Sequence, residues 1–234
     1  MISGLQKMTL LDYPGKVACT VFLQGCNYRC PFCHNTDLLP REGEPLMTEE
    51  EFFRFLETRK GLLDAVCVSG GEPTLQKDLE QFLAKIHDMG FAVKLDTNGG
   101  RPDILKKVVE AGVVDYVAMD IKNSPDRYAA TCGLGQMNLE KTEESVRYLI
   151  GGAVDYELRT TVVKPLHDAE TIAKMGQFLA SVAAPKKPKV LYLQSFVDRE
   201  SVAFAGLCAP DKQELERFVQ ILSPYVQKVV IRGT

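Results

Sequence analysis

A chain of 234 residues is long enough to bury the core of one large domain, and its 45% hydrophobic and 25% charged residues are ordinary for a globular protein. A net charge of −3 gives no basic footprint for nucleic acid, and no apolar run is long enough for a membrane-spanning helix. The N-terminus lacks the charged, apolar and small-residue order of a secretory signal, so the cytoplasm is the expected compartment.

Apolar, β-rich runs alternate with segments of helical period along the chain. The first expected strand is Val17 to Leu23, followed by a cysteine loop and a helix opening at Thr48. Thr48 and Glu51 form a capping box, and Phe52, Phe53 and Leu56 give that helix its buried stripe. The second strand, Ala65 to Ser69, ends in Gly70-Gly71-Glu72-Pro73; the helix after it carries Leu79, Phe82, Leu83 and Ile86 and closes at Gly90. Ala92 to Asp96 reads as the third strand. Ile104, Leu105, Val108 and Val109 mark the third helix, ended by Gly112, and Tyr116 to Ile121 is the fourth strand. An irregular stretch with Gly133 and Gly135 precedes a helix over 139–150. The fifth strand lies near Tyr156 to Val163, the next helix takes Asp168 as N-cap, and Pro185 to Pro188 turn the chain into a sixth strand, Val190 to Gln194. A last helix with Leu215, Phe218, Val219 and Leu222 precedes a short strand, Lys228 to Ile231.

Such alternation implies parallel strands with right-handed crossovers, in an incomplete β/α barrel or a doubly wound sheet. In both, ligands gather at the C-terminal ends of the strands. There fall Cys26 to Cys33, Ser69 to Glu72, Asp96 to Gly99 and Asp120 to Lys122. No repeat, low-complexity tract or linker interrupts the pattern, so a single domain over residues 1–234 is expected.

Seven cysteines without a secretory signal argue against a disulfide framework. Cys26-Asn-Tyr-Arg-Cys30-Pro-Phe-Cys33 supplies three thiolates from one loop, a donor set for zinc or an iron–sulfur cluster. A closed zinc site or an electron-transfer cluster wants four ligands, and His34, directly after Cys33, is poorly placed as the fourth. Three ligands on a four-iron cluster would leave one iron open to another molecule. From spacing alone a cluster, zinc and coincidence all stay open.

CxxxCxxC with Phe32 before its last cysteine, followed by Gly70-Gly71-Glu72-Pro73 after the second strand, resembles the radical S-adenosylmethionine (SAM) superfamily. The resemblance implies an α/β fold of the partial (β/α)6 TIM-like barrel type, with a [4Fe–4S] cluster on Cys26, Cys30 and Cys33. It also implies SAM bound through its amino and carboxylate groups at the open iron, and reductive cleavage of SAM to a hydrogen-abstracting 5′-deoxyadenosyl radical. The cofactors carry that chemistry while the protein binds and orients.

Asp12-Tyr-Pro-Gly-Lys16, Phe22-Leu-Gln-Gly-Cys26 and Cys33-His34-Asn35 are together similar to glycyl-radical-enzyme activases, most like the activating proteins of anaerobic ribonucleoside-triphosphate reductase. Asp96-Thr97-Asn98-Gly99, Asp120-Ile121-Lys122 and Arg159 resemble further activase segments. By this resemblance Phe32, His34, Asn35, Gly70, Gly71, Glu72, Lys122 and Arg159 belong to the cofactor site, with Lys122 meeting the SAM carboxylate and Glu72 its amino group. Asp96, Thr97 and Asp120 would hold a monovalent cation, and Asp12 would position the substrate glycine loop. The implied partners are a glycyl radical enzyme, with anaerobic ribonucleotide reductase the best single target, and flavodoxin or ferredoxin as electron donor. Two departures stand out. Tyr192 to Phe196 lacks the SAM-contacting histidine of the pyruvate formate-lyase activase, and residues 35–64 hold no cysteine, so one cluster is expected.

Competing readings accompany each of these. The chain could instead modify a small molecule or peptide, or be a non-catalytic iron–sulfur or zinc protein. Cys19 and Cys67 read as core thiols, Cys132 and Cys208 as incidental loop residues, and His87 and His167 as surface residues. Asp96 and Asp120 could cap turns, Lys122 could be solvated, Arg159 could pair with an acid, and Asp12 could fix the Pro14-Gly15 turn.

Overall fold

The computed structural model describes residues 1–40, 45–202 and 204–233. Two compact units are interleaved along the chain: Met1–Asn27, Asp37–Ala118 and Ala153–Asp155 form the first, and Tyr28–Thr36, Met119–Gly152 and Tyr156–Thr234 the second.

The first unit begins with a strand that the periodicity did not predict. β1 (Ile2–Thr9) pairs antiparallel with β2 (Ala18–Leu23). Only Ile2 and Thr9 of β1 are buried, so its sequence carries no alternation to reveal it. β2, β3 (Ala65–Gly70) and β4 (Ala92–Thr97) then run parallel; β2 and β3 are mostly apolar runs, whereas β4 carries Lys94 and Asp96 in its interior. Between them come α1 (Glu49–Glu57), opened by the expected Thr48–Glu51 capping box, and α2 (Leu79–Asp88), whose four predicted stripe residues are all buried. Phe52 of α1 stacks on Phe82 of α2 at 5.6 Å. Each large side chain so buried contributes about 1.5–3 kcal/mol. α3 (Pro102–Glu110) precedes β5 (Tyr116–Asp120), a strand that belongs partly to each unit.

The second unit contains α4 (Pro125–Thr131), which falls where the sequence suggested irregular chain, and α5 (Glu140–Gly151). β6 (Asp155–Val162), β7 (Leu191–Ser195) and β8 (Val229–Arg232) are parallel neighbours, with α6 (Ala169–Ala183) and α7 (Lys212–Leu222) in the connections. Asp168 caps α6 as expected, reciprocally with Thr171. Strand order follows the chain, β1 to β5 in the first unit and β5 to β8 in the second. The turns after β2, β3, β4 and β5 therefore leave C-terminal strand ends, where the polar motifs were expected.

Candidate functional site

In the first unit two glycines set the lead into the cysteine loop. Gly70 has φ +124°, and a Cβ there would lie 2.2 Å from the Leu23 carbonyl oxygen; one on Gly71 would lie 2.2 Å from that of Gly25. The close approach allows the Gly71 N–H to donate to Leu23 (2.9 Å) and the Glu72 N–H to Gly25 (2.8 Å). The glycine pair is thus required by backbone packing against the residues just before Cys26.

Glu72 is 1% exposed, and both carboxylate oxygens are engaged inside this unit. Oε1 accepts from the Thr74 N–H at 3.1 Å, the Thr74 hydroxyl at 2.5 Å and the Thr97 hydroxyl at 2.8 Å; Oε2 accepts from the Asn98 N–H at 2.6 Å. Burial pushes the carboxyl up and these donors oppose the shift without cancelling it. Glu72 therefore ties the turn after β3 to the turn after β4, and Asn98 extends the tie to Asn27 at 2.9 Å. The Thr97 hydroxyl also accepts from the Gly99 N–H at 3.1 Å. Asp96 bonds the Lys94 ammonium through Oδ1 and the Ser69 hydroxyl through Oδ2, the latter at 3.0 Å. Asp12, in the connection between β1 and β2, accepts from the Thr20 hydroxyl at 2.5 Å. The Pro14-Gly15 turn closes separately, with Lys16 N–H donating to the Tyr13 carbonyl at 3.3 Å.

The second unit assembles a charged triad. The Asp120 carboxylate accepts from Lys122 Nζ at 2.8 Å and from Arg159 Nε at 3.0 Å. Burial works to raise Asp120, but the charges of Lys122 and then Arg159 overcome it and hold the carboxyl at about 2. Burial likewise works against the Lys122 ammonium, and Asp120 more than compensates, so Lys122 stays charged. Lys122 Nζ also lies 6.0 Å from the centre of the Phe32 ring. Phe32 is buried with Val163 and Phe196 against Cys30. The competing reading of Arg159, that it pairs with an acid, is what the structure shows.

His167 corrects the surface reading. It is 2% exposed; Nε2–H donates to the Lys122 carbonyl at 2.8 Å, and Nδ1 accepts from the Val163 N–H at 3.1 Å, a tautomer set by those partners. Burial lowers its pKa, so the ring is neutral. His87 is exposed, as expected. Cys132 is a second correction. It is fully buried at the C-cap of α4, its carbonyl accepts from the Arg29 N–H at 2.8 Å, and its thiol bonds Cys30. That bond is the main reason the Cys30 thiol is drawn down to about 7 against the effect of burial, with Lys122 assisting. Burial pushes the Cys33 thiol up, and the Asn35 N–H opposes that only in part. His34 stacks on Phe196 at 5.6 Å, and its Nε2 lies 2.7 Å from the Val197 carbonyl oxygen. Cys19 and Cys67 are the buried core thiols that their strands implied, and Cys208 is exposed.

Sequence patterns could have found Cys132, directly after a Ser124-Pro125-initiated helix, and Lys94, a charge set inside a strand. His167 left no signal, because its burial depends on the backbone of Lys122 and Val163.

The family model for the radical SAM superfamily matches residues 20–179. The chain belongs to the radical SAM superfamily. Among its relatives, a protein of Methanocaldococcus jannaschii named as a candidate glycyl-radical enzyme activating enzyme is 34% identical, over 99% of this chain and 95% of that one. The pyruvate formate-lyase 1-activating enzyme of Escherichia coli K12 is 28% identical over 98% of this chain and 97% of its own. Solved structures agree in fold: a domain of the pyruvate-formate lyase-activating enzyme of Bacteroides vulgatus has a TM-score of 0.59 at 21% identity, covering 72% of this chain and 99% of that one. SuiB of Streptococcus suis with its precursor peptide has a TM-score of 0.67 at 15% identity, covering 92% of this radical SAM chain and 48% of its own. The fold is thus the α/β class of radical SAM partial barrels. No helix among the described residues is long and apolar enough to cross a membrane.

The superfamily implies a [4Fe–4S] cluster and SAM. Among the described residues no three His, Cys, Asp or Glu side chains stand ready as a metal site, so the fit rests on donor chemistry. Cys26, Cys30 and Cys33 are partly buried, lie in no disulfide and follow one another within eight residues, the soft donor set that iron–sulfur clusters take.

Proposed function

We propose that this radical SAM enzyme installs a glycyl radical on a partner enzyme. The reading is carried by the end-to-end match, 99% of this chain against 95% of a relative named for that activity. Cys26, Cys30 and Cys33 hold the cluster. Lys122 and Arg159, both kept cationic beside Asp120, neutralise the SAM carboxylate, and the Gly70-Gly71 backbone, fixed by Glu72, receives the amino group. Phe32 packs with Phe196 against Cys30, His34 stacks on Phe196 and the Asn35 N–H bonds Cys33, contacts that support the cysteine loop. The chemistry supplied by the bound cofactors is one-electron cleavage of SAM, with flavodoxin or ferredoxin as the donor. Held by these residues, SAM would supply the hydrogen-abstracting group, and the hydrogen it would take is the Cα hydrogen of a backbone glycine of the partner. Asp12 positions the glycine loop.

Anaerobic ribonucleotide reductase is the target suggested by the cysteine-loop wording, while relatives from Escherichia coli and Clostridium pasteurianum are named for pyruvate formate-lyase, so both enzymes are candidates. The family match spans residues of both units, which supports reading the chain as one domain. A cytoplasmic placement is part of this reading, supported by a cysteine content that suits a compartment where thiols stay reduced.

The test incubates anaerobically reconstituted protein, SAM and reductant with each enzyme and records EPR spectra. A glycine-centred doublet with either is expected, absent for Cys30→Ala. SAM cleavage without a doublet on any glycyl radical enzyme would overturn the activase reading.

A further inference from the structure

Lys94 is the one lysine among the buried described residues, at 1% exposure. It lies in the interior of β4, level with Cys67 of β3, which is itself level with Thr20 of β2. Two residues further on, and so on the same strand face, stands Asp96. The four-carbon stem carries the ammonium to Asp96 Oδ1, while Ser69 donates to Oδ2 at 3.0 Å. An ammonium buried this deeply and left unpaired would cost several kcal/mol, so the carboxylate is a requirement of the strand that carries Lys94.

The resemblance led us to expect a monovalent metal cation on Asp96, Thr97 and Asp120. The residues present do not fit one. Asp96 already holds an ammonium, and the Thr97 hydroxyl donates to Glu72 and accepts from Gly99. Asp120, within its own unit, is engaged by Lys122 and Arg159. We infer that Lys94 is a built-in cation that takes the place of a monovalent metal ion at Asp96. The cation is then carried by the covalent chain and does not depend on which salt surrounds the protein. The inference is independent of the activase reading, because its test needs neither cluster nor partner.

The experiment compares thermal unfolding of the apoprotein in KCl, NaCl and choline chloride at equal ionic strength, with 23Na NMR line width as a binding readout. Wild type should unfold at one midpoint in all three salts and leave the sodium line unbroadened. Lys94→Met strands the Asp96 carboxylate, so its midpoint should rise in K⁺ or Na⁺ over choline, saturably and by about 3 °C or more. Lys94→Met with Asp96→Asn should lose that response. Saturable stabilisation of wild type by K⁺ or Na⁺ that Asp96→Asn abolishes would overturn the inference, as would a folded Lys94→Met indifferent to the cation. Should Lys94→Met fail to fold, wild type against Asp96→Asn still decides.

Discussion

Replacing Asp120 by asparagine keeps the shape of the triad and removes the charge that both Lys122 and Arg159 bind. The cost follows from the carboxyl itself. In the folded chain it lies at about 2 against an ordinary 3.8, a difference worth roughly 2 kcal/mol at neutral pH. The side chains of Lys122, Arg159 and Asp120 are 15%, 14% and 28% exposed, so the pairing is desolvated enough to count but short of the about 3–5 kcal/mol lost from a fully buried pair. For a chain of this size the loss lowers Tm by about 4–8 °C. The pH dependence has a definite sign. The folded value is depressed, so the contribution is complete above the unfolded value of 3.8 and drains away as pH falls through about 2. About half should be gone near pH 3. Urea denaturation of wild-type and Asp120→Asn apoprotein at pH 7 and in steps down to pH 3 should show a gap that narrows on acidification. An asparagine variant as stable as wild type at pH 7, or a gap of constant size down to pH 3, would refute the reasoning.

His167→Gln retains a donor for the Lys122 carbonyl but loses the rigid ring that also accepts from Val163; SAM affinity, measured by equilibrium dialysis on reconstituted protein, should fall roughly tenfold with iron content unchanged. Because burial depresses the His167 pKa, wild-type stability should decline as pH falls below about 6.5, and that decline should be smaller in the variant; identical acid limbs would count against a buried neutral ring. Gly133 has φ +68°, and a Cβ there would lie 1.9 Å from the Arg29 carbonyl oxygen, inside the cysteine loop. Gly133→Ala should therefore lower iron and sulfide bound per chain after reconstitution, and full cluster content would show that the loop does not depend on this contact.

The elements that the sequence made legible are those whose partners are near in the chain. The Leu79, Phe82, Leu83, Ile86 stripe and the Thr48–Glu51 and Asp168 caps depend on helical spacing alone, and all appear as read. β1 was missed because five of its eight residues are polar or glycine and its exposed middle has no apolar alternation. α4 was missed because its short run, Pro125–Thr131, buries only Tyr128 and Thr131, too few to set a period.

Within the site the pattern is the same. Asp120 and Lys122 sit two residues apart and were visible as a pair, whereas the ring that fixes the Lys122 backbone is 45 residues away. Glu72 shows where motif resemblance and local chemistry part: the resemblance points its carboxylate toward SAM, yet its four donors all come from Thr74, Thr97 and Asn98, so the carboxylate ties the turn after β3 to the turn after β4. Lys94 is the converse. The residue types Lys94-Leu95-Asp96 already held the pairing, since a strand puts alternate side chains on one face, and a lysine on a buried face must meet an acid. Reading Asp96 from its family motif alone directed attention outward to a metal ion, when the strand's own period had placed a cation beside it.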